Sequence, residues 1–220
     1  MAFDHVTTWI FDLDNTLYPP DTALFAQIEK RMTAHVSRVL GVDPAEADRL
    51  RSHYWRDYGT TLAGLMREHR IDPHAYLLDV HDIDFSVLRP DPELAAAIDA
   101  LPGRKIIHTN ADALYAGRVL DRLGIGPFEA IFGIEEVGFH PKPDARAYTA
   151  VIGAQGFDPT CAAMFEDDPR NLAVPAELGI QTVLVGSGRH GPDELAAGTD
   201  PGPHVMYRTD ELTGFLRRLA

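Results

Sequence analysis

From Pro90 to Val185 the chain alternates short apolar runs with amphipathic stretches, and few folds accommodate that rhythm. The runs Lys105–Thr109, Ala130–Phe132, Ala162–Phe165 and Gln181–Val185 read as strands, while stretches near Glu93–Leu101, Ala113–Leu123, Ala145–Gly153 and Leu172–Leu178 read as helices. Strands separated by single helices at this spacing specify a parallel sheet covered on both faces and joined by right-handed crossovers. Val6–Phe11, a further apolar run rich in strand formers, supplies a buried strand near the start. The expected fold class is α/β, a doubly wound parallel sheet. Gly186–Pro203, rich in Gly and Pro, reads as a surface loop, His204–Tyr207 as an edge strand and Glu211–Leu219 as a last helix.

Between the first strand and Pro90 the pattern is different. Leu24, Phe25, Ile28, Met32, Val36 and Val39 recur at helical spacing, with Gly41 as the stop. Asp43, Pro44 and Glu46 form a helix start, with a capping carboxylate, proline at the first helical position and Glu three residues on. Thr61–His69 reads as a third helix, and Asp72-Pro73 opens a fourth that runs towards His81. Residues 19–86 are therefore expected to form an all-helical insert, with 1–18 and 87–220 forming the sheet-bearing core.

In an open parallel sheet, ligands bind beyond the carboxyl ends of the strands, so polar residues at those ends carry the search for chemistry. Four places stand out: Asp12 to Leu17, Thr109-Asn110, Lys142 between two prolines, and the acidic run Glu166 to Asn171. Asp12 can act as a nucleophile without deprotonation at neutral pH, splitting a phosphoryl transfer into two steps. Asp14 can protonate a leaving alkoxide and then activate water. Carboxylates would repel an anionic ester unless a cation intervened, and Mg²⁺ prefers such oxygen ligands. Asp12 and Asp167 are the expected side-chain ligands, with Asp14 contributing its backbone carbonyl. Asn171 is a further candidate, direct or through water, with Glu166 and Asp168 around it. Lys142, Thr109 and the backbone N–H groups near Asn110 would hold the phosphoryl oxygens. Taken singly, Thr109-Asn110 also reads as a helix cap, Lys142 as a solvated loop residue and the Glu166 run as a helix N-terminal turn.

Charge narrows the partners. A net charge of −13, with 20 Lys and Arg against 33 Asp and Glu, disfavours nucleic-acid polymers, whose binding draws on clustered cations. It also means that a small phosphate ester needs local cations, and Lys142 is one of three lysines in the chain. No run is long and apolar enough for a membrane span, and Met1–His5 lead into the first strand without a secretory pattern, so a cytoplasmic location is expected. The single cysteine, Cys161, reads as a small core residue.

These motifs resemble the haloacid dehalogenase superfamily over nearly the whole chain. Asp12-Leu13-Asp14-Asn15-Thr16-Leu17 matches its first motif, Thr109 the second, Lys142 the third, and Glu166-Asp167 with Asn171 the acidic fourth. The resemblance implies a Rossmann-like core, with residues 19–86 as a C1 cap that closes over the site. More narrowly, Phe11–Pro19, Val80–Asp84, Met164–Asp167 and Arg170–Leu172 are similar to the pyrimidine 5′-nucleotidase branch. That implies a Mg²⁺-dependent phosphatase acting through an aspartyl-phosphate on a small phosphorylated metabolite, a nucleoside monophosphate. Thr109-Asn110-Ala111 departs from relatives that carry Gly after the Asn, which bears on the loop shape. Dehalogenases proper lack the second aspartate, so Asp14 argues against them. Phosphonate hydrolases need a cap lysine, and Lys30 is the lone one in that block, on a solvated face. Phosphatases of sugar phosphates or other small esters, a phosphomutase and a catalytically silent binding module are the remaining alternatives. His53, Tyr54, Trp55, Arg56 and Tyr58 are candidates to contact a base or sugar, against the reading that they are packing residues of the helical block.

Overall fold

A computed structural model describes residues 3–187 and 202–220. Its six strands are β1 (Thr8–Phe11), β2 (Arg104–His108), β3 (Ala130–Phe132), β4 (Ala162–Glu166), β5 (Gln181–Val185) and β6 (Tyr207–Thr209). All pairings are parallel, in the order β3-β2-β1-β4-β5-β6. The chain thus winds outwards from β1 in one direction and, after crossing back, outwards from β4 in the other. Right-handed crossovers place α5 (Pro92–Asp99) and α6 (Ala113–Leu123) on one face, and α7 (Ala145–Gln155) and α8 (Ala173–Glu177) on the opposite one. Accordingly α7 packs on α8, and α5 packs on the last helix, α9 (Leu212–Arg217).

Covering both faces requires the central strands to be apolar throughout, and every residue of β1 and β4 is buried. Phe11 stacks on Phe165 across the pair with centroids 4.8 Å apart, and Trp9 anchors the far end by donating Nε1–H to the Pro102 carbonyl at 2.6 Å. Between β1 and α5 run four α-helices, α1 (Leu24–Leu40), α2 (Pro44–Tyr58), α3 (Thr61–His69) and α4 (Pro73–Val80). No strand lies among them. Gly41 ends α1 in a left-handed conformation, φ 67°, and the Asp43 carboxylate caps α2 by accepting from the Glu46 N–H at 3.0 Å. No helix of the described residues is long and apolar enough to cross a membrane.

Two elements differ from their sequence expectation. The edge strand is Tyr207–Thr209 and not His204–Tyr207. The hydroxyl of Thr182 donates to the His204 carbonyl at 2.5 Å and accepts from the Met206 N–H at 3.1 Å, so a side chain takes the place of the ladder there. The helix expected at Leu172–Leu178 begins as a 3₁₀ turn, Pro169–Leu172, before α8. The loop expected at 186–203 falls mostly outside the described residues.

Within the helical segment, α2 and α3 approach closely at Gly64, where a Cβ would lie 2.2–2.5 Å from side-chain atoms of Tyr54. Tyr54 is fully buried, so its ring has nowhere to retreat. Gly64→Ala is therefore expected to destabilise the protein by about 1–3 kcal/mol through overpacking, although alanine gains about 1 kcal/mol in helix propensity. Denaturant unfolding checks this: a midpoint at or above that of the unaltered protein would show that the seam is loose.

Candidate active site

The order in which the chain adds strands reverses between β1 and its parallel neighbour β4, and the register places Phe11 opposite Phe165, so Asp12 and Glu166 leave adjacent strand ends side by side. The Asp12 N–H extends the ladder by donating to the Phe165 carbonyl at 2.9 Å. Into this gap reaches Lys142, from the connection between β3 and α7. Its Nζ donates to Asp12 Oδ1 at 2.6 Å, Glu166 Oε2 at 2.6 Å and the His108 carbonyl at 2.8 Å. The ammonium thereby ties together the ends of β1, β4 and β2. Burial alone would lower its pKa, but Asp12 and Glu166 outweigh that and hold it raised.

Asn110 secures the Lys142 backbone at both peptide groups. Its Oδ1 accepts from the Lys142 N–H at 2.8 Å, and its Nδ2 donates to the Lys142 carbonyl at 3.2 Å. The Asn110 side chain thus holds the loop that delivers the lysine. Thr109 is buried beside it, with its hydroxyl accepting from the Ala111 N–H at 3.1 Å. The helix start expected around Asn110 lies further on, where Asp112 caps α6 by accepting from the Tyr115 N–H at 2.6 Å.

Asp12, Glu166 and Asp167 each bring a carboxylate oxygen to within 4.8 Å of the others. Burial, reinforced by Glu166, pushes the Asp12 carboxyl up to about 7 despite Lys142, and burial with Glu166 and Asp12 holds Asp167 well above the usual range. Three buried carboxylates against one ammonium leave an excess of negative charge. Either protons or a divalent cation would neutralise it. The donors fit a hard cation, and Asn171 adds an observation of its own: its Oδ1 is buried without a hydrogen-bond partner at the edge of the same cavity. Asp168 is occupied elsewhere, capping the Pro169–Leu172 turn and pairing with Arg170 at 2.7 Å.

The Asp14 carboxyl stands apart from this cluster. Its Oδ1 accepts hydrogen bonds from Tyr18 at 2.5 Å and Tyr115 at 2.6 Å. Burial raises its pKa, with the two phenols acting in the opposite sense. Asp12 and Asp14 line one cavity of about 400 Å³, whose other wall is built by Phe25, Ile28 and Met32 of α1, Arg51 and Trp55 of α2, and Tyr76 of α4. The strand ends and the helical segment therefore enclose the same space.

Of the five contact candidates in α2, Trp55 alone is among the cavity's lining residues, and the Arg170 guanidinium stacks on its ring at 3.5 Å. Tyr54 is packing between helices and bonds His69 at 2.7 Å, while Tyr58 donates to Glu68 at 2.7 Å. Lys30 is exposed. Sequence reasoning missed the groups around Asp14. Tyr115 was hidden in the apolar stripe of α6, with Ala116, Val119 and Leu120, and reads as core. Tyr18 lies four residues after Asp14, and His81 and Asp112 carry no spacing that links them.

Strand order and an acidic cluster at the topological switch point define a doubly wound α/β protein with its site on the carboxyl edge. A family model of haloacid dehalogenase-like hydrolases matches residues 6–179. The chain belongs to that family. Phosphate metabolism protein 8 of Saccharomyces cerevisiae is 28% identical over 195 residues, covering 80% of this chain and 60% of the relative's own length. Among solved structures, a haloacid dehalogenase-like family hydrolase from Streptococcus pneumoniae is 18% identical with a TM-score of 0.63, over 98% of this chain and 99% of that one. A HAD phosphatase from Thermococcus onnurineus is 16% identical with a TM-score of 0.58, over 98% of each chain. L-2-haloacid dehalogenase from Xanthobacter autotrophicus, with chloropropionic acid covalently bound, is 12% identical with a TM-score of 0.57, over 96% of this chain and 97% of that one. At such identities these structures share the fold.

The raised carboxyls have a thermodynamic signature. Between the ordinary Asp value of 3.8 and about 7, folded Asp12 keeps a proton that the unfolded chain releases, so its contribution to stability falls as pH rises through that window. Without divalent cations, the unfolding midpoint should drop between about pH 5 and pH 7.5, and Asp12→Asn should drop less. An equal or larger fall in the variant would remove Asp12 as the source.

Proposed function

We propose that the chain is a Mg²⁺-dependent phosphomonoester hydrolase that works through an aspartyl-phosphate on Asp12 and acts on pyrimidine nucleoside 5′-monophosphates. The observation that carries this reading is Asp14, a half-buried carboxyl with a raised pKa in the same cavity as Asp12. A halide leaves as a stable anion and needs no proton. An alkoxide does need one, so this second acid has work in a phosphatase that a dehalogenase does not require.

An Asp12 oxygen attacks phosphorus in line with the ester bond, while Lys142 steadies the other charges at the strand ends. Asp14 gives its proton to the leaving oxygen, then takes one from the water that cleaves the aspartyl-phosphate. Mg²⁺ held by Asp12, Asp167 and the Asp14 backbone carbonyl, with Asn171 beside them, would offset the phosphate's charge and let it approach the carboxylates. Thr109 and the backbone near Asn110 complete the phosphate end. Residues 19–86 serve as a cap, and their share of the cavity wall supports that role.

The cavity volume of about 400 Å³ suits a small metabolite. The nucleotide assignment draws on the motif resemblance and on Trp55 as a flat surface. A non-nucleotide ester is the second reading, favoured by the fact that Arg170 already covers Trp55 at 3.5 Å. Phosphate release from UMP, CMP, AMP, sugar phosphates and p-nitrophenyl phosphate, with and without Mg²⁺, separates the two. Pyrimidine preference is expected, with Asp12→Asn at least about 10³-fold slower. Mg²⁺-independent turnover, or a fully active Asp12→Asn, would overturn the mechanism.

A further inference from the structure

Behind Asp14 lies a buried cluster that spans the junction of the helical segment and the sheet. Tyr18, two turns of chain beyond β1, and Tyr115, on α6, both direct their hydroxyls at Asp14 Oδ1 and lie 3.3 Å from each other, oxygen to oxygen. His81, which closes α4, stacks on the Tyr115 ring with centroids 4.3 Å apart and planes within 19°. Its Nδ1 donates to Asp112 Oδ2 at 2.6 Å, and Asp112 in turn caps the helix that carries Tyr115. All four of these supporting residues are at least nine-tenths buried.

We infer that Tyr115 and Tyr18 are positioning residues for Asp14, fixing its rotation so that Oδ2 carries the transferable proton, and that the His81–Asp112 pair holds Tyr115 in place. The argument rests on the proposed role of Asp14 as proton donor. A carboxyl oxygen that already accepts two hydrogen bonds is the one that stays unprotonated, because a proton there would confront two phenol hydrogens. The phenols are placed as donors by geometry, with both hydroxyls aimed at the same acceptor oxygen at 2.5 and 2.6 Å. Asp112 accepts as a carboxylate, since the His81 bond and the Tyr115 N–H outweigh its burial and keep its pKa low. Each member therefore has one orientation available.

The proton balance follows. As an Asp12 oxygen bonds to phosphorus, the ester P–O bond breaks, and the departing oxygen keeps its electron pair and takes the proton from Asp14 Oδ2. When water attacks phosphorus, Asp14 accepts the proton from that water, and the P–O bond to Asp12 breaks to restore the carboxylate. A freely rotating Asp14 would present the wrong oxygen to the leaving group for part of the time.

Leaving-group dependence tests this. UMP and glycerol 2-phosphate release alkoxides that require protonation, whereas p-nitrophenolate departs without it. Tyr115→Phe is expected to lower kcat on the alkyl esters about 10- to 100-fold, with KM within about threefold, and to lower kcat on p-nitrophenyl phosphate at least about tenfold less. Tyr18→Phe, at the other donor, repeats the test should the first variant fold poorly. Equal losses on both classes of ester would mark the phenols as structural and overturn the inference, as would no loss on either. If the unaltered protein hydrolyses neither class, the phosphatase reading falls, and the positioning role falls with it.

Discussion

A full positive charge shut away from water dominates the arrangement of this molecule. The Lys142 ammonium is 1% exposed and is shared among two carboxylates and a carbonyl, each from a different strand end. Burying an ion costs several kcal/mol unless its partners are well placed, so those three strand ends cannot splay without exposing an unpaired charge to an apolar interior. The requirement reaches outwards. Asn110 grips the lysine's peptide groups, Glu166 ties its second oxygen to the N–H groups of Asp167 and Asp168, and Thr16 donates to the remaining Asp12 oxygen at 3.1 Å. Residues from four separate stretches of sequence are thereby held within one electrostatic unit.

Glu166 shows how a residue at the edge of a motif can matter as much as its centre. It accepts the lysine on one oxygen and two backbone N–H groups on the other, which leaves it fully engaged. Asp167, next in sequence, joins Asp12 and Glu166 in the acidic cluster. Both adjacent acids line the cavity, and Glu166 also holds Lys142.

The fold was legible because its signals are local and redundant. Asp43-Pro44 and Gly41 mark helix ends through their own backbone preferences, and Val6–Phe11 has no amphipathic alternative. The strand ends likewise followed from an alternating pattern, so Asp12, Thr109, Lys142 and Asp167 could be placed near one another without coordinates. Legibility ended where partners meet only through tertiary structure. Tyr115 belongs to an apolar helical stripe and looks like packing, because nothing nearby in the chain shows that its hydroxyl meets Asp14, 101 residues away. The edge strand slipped for a similar reason, since Thr182 captures the backbone of 204–206 through its hydroxyl, a contact across the sheet. Tyr54 and Trp55 are neighbours in sequence and aromatic alike, yet helix rotation sends one into a seam and the other to the cavity.

The cavity has two walls encoded in different parts of the chain. One is made of strand-end residues locked to Lys142, where substitution disturbs several partners at once. The other is made of side chains on α1, α2 and α4, such as Phe25, Met32 and Arg51, none of which bonds to that electrostatic unit. Sequence drift in the helical wall can therefore reshape what the cavity admits while the reactive edge stays intact. In such an architecture the catalytic apparatus is inherited as a block, and selectivity is free to diversify around it.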